Sequence, residues 1–104
     1  MTSARGKEIL DPIRIEEALA ELPGWEYKAG RFERVFLTKS FMAGLEFVQA
    51  IAPVAEEMNH HPDVILTYPK VKVQAWTHTV NGVTELDVDL AKAINRKADE
   101  EGVV

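Results

Sequence analysis

The sequence contains no cysteine. Disulfides, thiolate nucleophiles, Cys-ligated zinc and iron–sulfur clusters are excluded in one step. Long apolar runs are missing too. The most apolar stretch, Ala50-Ile51-Ala52-Pro53-Val54-Ala55, falls far short of the ~20 residues that a membrane helix requires. Met1 to Lys7 are polar and lack the apolar stretch of a signal peptide. With neither an export signal nor cysteine, a cytoplasmic address and no membrane partner are expected. Positive charge is in deficit. Lys and Arg number 12 against 17 Asp and Glu, a net charge of −5, whereas a nucleic-acid binder needs a basic stripe to neutralise phosphates. No direct nucleic-acid partner is expected. What remains, 104 residues at 46% hydrophobic and 28% charged, fits one domain over 1–104, with residues 1–10 as a loose leader.

Punctuation along the chain predicts the elements. Asp11-Pro12 reads as N-cap and first helical residue, and Ile15, Ala18, Leu19 and Leu22 follow on one face until Pro23-Gly24. Two short strands, Trp25 to Lys28 and Phe32 to Leu37, flank an Ala29-Gly30-Arg31 turn. Ser40 is placed to cap a helix from Phe41 to Met58, with Phe41, Leu45, Val48, Ile51 or Ala52, Ala55 and Met58 as its apolar stripe. Pro53 lies inside that helix and is expected to bend it, because it has no N–H for the carbonyl of Gln49. Val64, Leu66 and Tyr68 alternate with Ile65 and Thr67, and Pro69-Lys70 makes a turn. Val71, Val73, Ala75 and Thr77 then form a core face opposite Lys72, Gln74, Trp76 and His78. After Asn81-Gly82, Thr84 opens a last helix bearing Leu86, Leu90, Ala93 and Ile94. The order α-β-β-α-β-β-α gives an α+β fold, a four-stranded antiparallel sheet with three helices packed on one face. The sheet's other face and edges need cover, so a homo-oligomer is expected.

The residues able to carry chemistry are few. His60 and His61 sit at a helix-to-strand junction and His78 near the end of a strand. Imidazole both donates and accepts protons near neutrality, so three clustered rings suit general acid–base work on a small molecule. The plainer alternative makes the adjacent histidines a polar helix end, with one ring as its cap. A three-histidine metal site is the rival, but sequence neighbours point in different directions and the helical i, i+4 pair is absent. Thr84-Glu85-Leu86-Asp87 resembles a capping box with Asp in place of Glu, which by itself accounts for Asp87. Beside a histidine, Asp87 would instead hold the ring's tautomer. Glu56 and Glu57 are most simply a solvated helix face.

Taken together, these residues resemble a known family. Glu56-x3-His60-His61-Pro62, Tyr68, Thr77-His78, Gly82 and Asp87-x2-Leu90-Ala91 are similar to the signature of the pterin-4a-carbinolamine dehydratases, also called 4a-hydroxytetrahydrobiopterin dehydratases. Upstream, Leu19-x2-Leu22-x-Gly24-Trp25 and Phe41 through Val48 to Ala55-Glu56 extend the resemblance, which covers Leu19 to Ile94; Pro53 is not part of it. The resemblance implies the same α+β fold, dimers that pair into tetramers, and catalysis with no metal and no organic cofactor. The implied reaction removes water from a 4a-hydroxytetrahydropterin, giving a quinonoid dihydropterin in the recycling of a tetrahydrobiopterin-type cofactor. His60 and His78 would be the acid–base pair, His61 would bind and orient the pterin, and Asp87 would support the site. Trp76 and Glu56 would join His61 in binding substrate, although Trp76 as a core or interface aromatic fits equally well. Some relatives instead serve as dimerisation partners of a transcription regulator, and a pterin-related role in another pathway is a further alternative.

Overall fold

A computed structural model describes residues 8–104. Helix α1, Pro12–Ala20, begins where Asp11 accepts from the Arg14 N–H with Pro12 in the first turn. Strands β1, Glu26–Lys28, and β2, Arg31–Leu37, follow. Ala29 and Gly30 both have positive φ, the backbone a two-residue hairpin requires. Helix α2 spans Phe41–Met58 under a Ser40 cap and continues across Pro53. Strands β3, Asp63–Thr67, and β4, Lys70–Ala75, lead to helix α3, Glu85–Glu101. The order α-β-β-α-β-β-α is the one expected.

The sheet is antiparallel throughout, in the order β1-β2-β4-β3. Its buried face alternates as β-geometry demands: Phe32 and Phe36 on β2, Val71, Val73 and Ala75 on β4. The helices bring Ala18, then Phe47 and Ile51, then Val88, Ala91, Ile94 and Ala98 to the same core. Phe36 and Phe47 meet at 4.8 Å between ring centroids, with Trp25 edge-on to Phe36. Gly44 lets α2 approach β3, since a Cβ there would lie 2.7 Å from the Leu66 side chain. Arg14 grips Glu85 through two hydrogen bonds of 2.6 and 2.9 Å, tying α1 to the start of α3. That contact raises the guanidinium pKa further above its ordinary value.

Several expectations need correction. Phe41 is 50% exposed, and the buried stripe of α2 runs Gly44, Phe47, Ile51, Ala55. The helix is rotated so that Phe47, between the expected Leu45 and Val48, fills the space against Phe36. Helix α1 stops three residues before Pro23-Gly24, because the Glu21 and Leu22 N–H groups turn back to Ala18 and Leu19. The second hairpin turns at Tyr68-Pro69, a cis peptide, and Lys70 already pairs with Thr67. Strand β4 ends at Ala75, not at His78. Beyond it, Thr77 forms an isolated bridge with Gly82 and closes a loop that carries His78. Residues 1–7 of the expected leader lie outside the described residues. Leu10, also assigned to that leader, donates its N–H to Val83 O at 2.9 Å and packs on the core.

Candidate active site

The end of α2, the segment after β4 and the start of α3 converge on one cleft. Helix α2 terminates in a left-handed Asn59, φ 51°. The His60 N–H returns to Ala55 O and the Asn59 N–H to Glu56 O, the paired bonds of a Schellman cap. Backbone therefore closes the helix, and neither imidazole is needed as a cap. His60 is turned inward by this geometry, while His61 stays 55% exposed and pairs with Glu56 on the outside at 2.7 Å.

His60 meets Asp87 through Nε2 and Oδ1 at 2.5 Å, with 11% of the imidazole side chain and none of the carboxylate exposed. The other oxygen, Oδ2, accepts from the Thr84 N–H at 2.9 Å and from the Thr77 hydroxyl at 2.7 Å. Asp87 is thus both capping residue and histidine partner, one oxygen serving each. A carboxylate has no proton to give, so Nε2 is the donor in this bond, and in a neutral ring the lone pair then lies on Nδ1.

The cleft, of about 460 Å³, is lined by His60, His61, His78, Trp76, Thr77 and Leu86 among others. That volume lies within the usual range for small-molecule sites. Trp76 forms a wall. Its indole lies 4.0 Å from the His78 ring, donates to Asp63 at 2.9 Å, and has the Arg31 guanidinium 4.0 Å from its ring centre. All three histidines, Trp76 and Asp87 are thus brought together, Asp87 from beneath. Among the described residues, Glu56 reaches the site through His61, and Tyr68 stands exposed on its turn. Among the described residues, no group of three or more His, Asp and Glu is arranged to hold a metal ion.

A family model for pterin 4 alpha carbinolamine dehydratase matches residues 8–97. The chain belongs to this family. A candidate pterin-4-alpha-carbinolamine dehydratase of Sulfolobus acidocaldarius is 42% identical over 87 residues, covering 84% of this chain and 96% of the relative. Another, from Streptomyces coelicolor, is 42% identical over 96 residues, covering 91% and 95%. The crystal structure of a transcriptional coactivator/pterin dehydratase of Brucella melitensis matches with a TM-score of 0.82 at 38% identity, over 88% of this chain and 99% of that one. A pterin dehydratase-like RuBisCO assembly factor of the alpha-carboxysome matches at 0.58 and 20% identity, over 71% and 86%, and bears on the fold alone.

Within the dehydratase family fold, sequence reasoning missed Thr77 and Thr84 as members of the site, along with Asp63 and Arg31 around Trp76. One signal was available for Thr77. Its place on the core face of the strand pattern buries a hydroxyl, and a buried hydroxyl needs a partner.

Proposed function

We propose that this chain dehydrates a 4a-hydroxytetrahydropterin to the quinonoid dihydropterin, in the recycling of a tetrahydrobiopterin-type cofactor. The single observation that carries the reading is the imidazole of His60, oriented by a buried carboxylate in a cleft that two further histidines share. The reaction breaks the C4a–O bond and the N5–H bond, and the N5 electrons form the C4a=N5 double bond. The hydroxyl leaves as water with a proton supplied to it. His60 and His78 divide the two proton transfers, one ring taking the N5 proton and the other protonating the hydroxyl. The open cleft lets both rings return to their starting states by exchange with water. His61, steadied by Glu56, binds and orients the pterin, and the indole of Trp76 offers a flat apolar wall to its bicyclic ring. The chemistry asks for no metal and no organic cofactor. The protein acts in the cytoplasm as a homo-oligomer, dimer or tetramer, which covers Val35, Leu37 and Ile65 on the outer sheet face.

The test is turnover of a synthetic 4a-hydroxytetrahydropterin above its uncatalysed rate. His60→Ala and His78→Ala should each lower kcat at least about tenfold, since general acid–base groups contribute about 10²–10⁴-fold. The double variant should lose less than the product of the two. His61→Ala should chiefly raise KM, the mark of lost ground-state binding. Wild-type kcat in both single variants, with normal melting, would sink the assignment.

A further inference from the structure

We propose that the Thr77 hydroxyl is a positioning group for His60, acting through Asp87. The proposal rests on the dehydratase reading and adds a residue to its machinery. A carboxylate turns about a broad, two-fold torsion, so something must decide which oxygen faces the imidazole and in what plane. Asp87 Oδ2 has two anchors, the Thr84 N–H at the helix cap and the Thr77 O–H from beyond β4. These belong to different elements, and together they leave Oδ1 aimed at His60 Nε2.

The direction of every bond in this cluster is determined. The Asp87 carboxylate accepts, so the Thr77 proton points at Oδ2. Thr77 Oγ1 then has lone pairs alone to offer Thr84, 2.9 Å away, so the Thr84 hydroxyl donates to it. Thr84 Oγ1 in turn accepts the Leu86 N–H at 3.2 Å. The relay runs Leu86 to Thr84 to Thr77 to Asp87, with each hydroxyl proton in one place. Thr77, Thr84 and Asp87 are all buried, so solvent does not stand in for a missing donor. Thr77 also adjoins His78 in the chain, and its backbone bridges Gly82. One short segment thus sends a hydroxyl inward to set His60 and the next side chain outward to the cleft.

A graded series at position 77 tests the role. Thr77→Ser keeps the donor, Thr77→Cys weakens it, and Thr77→Val removes it at nearly constant shape. Thr77→Val should lower kcat about tenfold, with KM within about twofold of wild type. Thr77→Ser should restore kcat, and Thr77→Cys should fall between. Nitrogen-15 NMR of the His60 ring gives a readout independent of turnover. Wild type and Thr77→Ser should show the Nε2–H tautomer, and Thr77→Val should show Nδ1–H as well. Wild-type kcat and tautomer in Thr77→Val would overturn the proposal, as would losses that follow melting temperature and not donor strength. If Thr77→Val does not fold, the Ser and Cys variants carry the same comparison. Should the wild type fail to dehydrate pterins, the functional reading falls, while the tautomer series still decides the positioning role.

Discussion

Replacing Asp87 with Asn separates the two jobs of that carboxylate. The native side chain is fully buried and accepts from His60, Thr77 and Thr84. Asp87→Ala would strand the buried Thr77 and Thr84 donors and the part-buried His60 N–H at about 1–3 kcal/mol each. That sum is comparable with the whole stability of a domain, about 5–15 kcal/mol. Such a variant should not fold, and asparagine is the usable probe. Its two orientations are unequal. With the amide NH₂ toward Thr77 and Thr84, the Thr84 N–H faces a donor and its bond fails, and the Thr77 hydroxyl must turn round to accept. With the amide oxygen there, the Thr77 O–H and Thr84 N–H keep their acceptor, and the NH₂ faces His60 Nε2. The imidazole must then accept at Nε2 and carry its proton on Nδ1, the opposite tautomer. Stability loses the charge-assisted part of these bonds, about 1–2 kcal/mol. For a domain of this size that lowers Tm by about 4–16 °C. Catalysis loses the native tautomer of His60, and kcat should fall at least about a hundredfold. Circular dichroism melting and stopped-flow dehydration measure the two effects separately. Native-like melting with kcat within about twofold of wild type would refute the tautomer argument, and outright unfolding would refute the orientation argument.

Glu33 links stability to pH. The hydrogen bond from Gln74 holds its carboxyl below the usual carboxylate range, with Lys72 and Lys28 assisting against desolvation. A depressed folded value means its contribution is complete above that range and is lost as pH falls through the folded value. Glu33→Gln should therefore flatten the acid limb of Tm against pH, and an unchanged limb would rule the coupling out. Exhaustive chelation should leave turnover intact, and loss restored by added zinc would defeat the acid–base reading. Sedimentation at micromolar concentration should show a dimer or tetramer; a species of 11.6 kDa alone would exclude a stable oligomer.

Local signals carried most of the architecture. Asp11-Pro12, Ser40 and Thr84 mark three helix starts because capping chemistry acts within a single turn. The alternation of Val71, Val73 and Ala75 identified the buried face of β4 because strand periodicity is geometric. The histidines and Asp87 stood out as candidates from the resemblance, and the fold brings them to one cleft. Where packing chose between similar neighbours, the sequence was silent. Phe47 rather than Phe41 entered the core because the α2 stripe is set by its contact with Phe36, a residue on another element.

The sequence by itself determined the element order, the caps and the three histidines, all of which depend on neighbours within a few positions. Tertiary structure alone decided that His60 meets Asp87 across 27 residues and that Thr77 reaches the same carboxylate. It also decided that Trp76 stacks near His78 between Asp63 and Arg31. Those contacts join the end of one helix, the segment after a central strand and the start of another helix. No local preference encodes them, because they exist only once the core has fixed the distances between the elements that carry them.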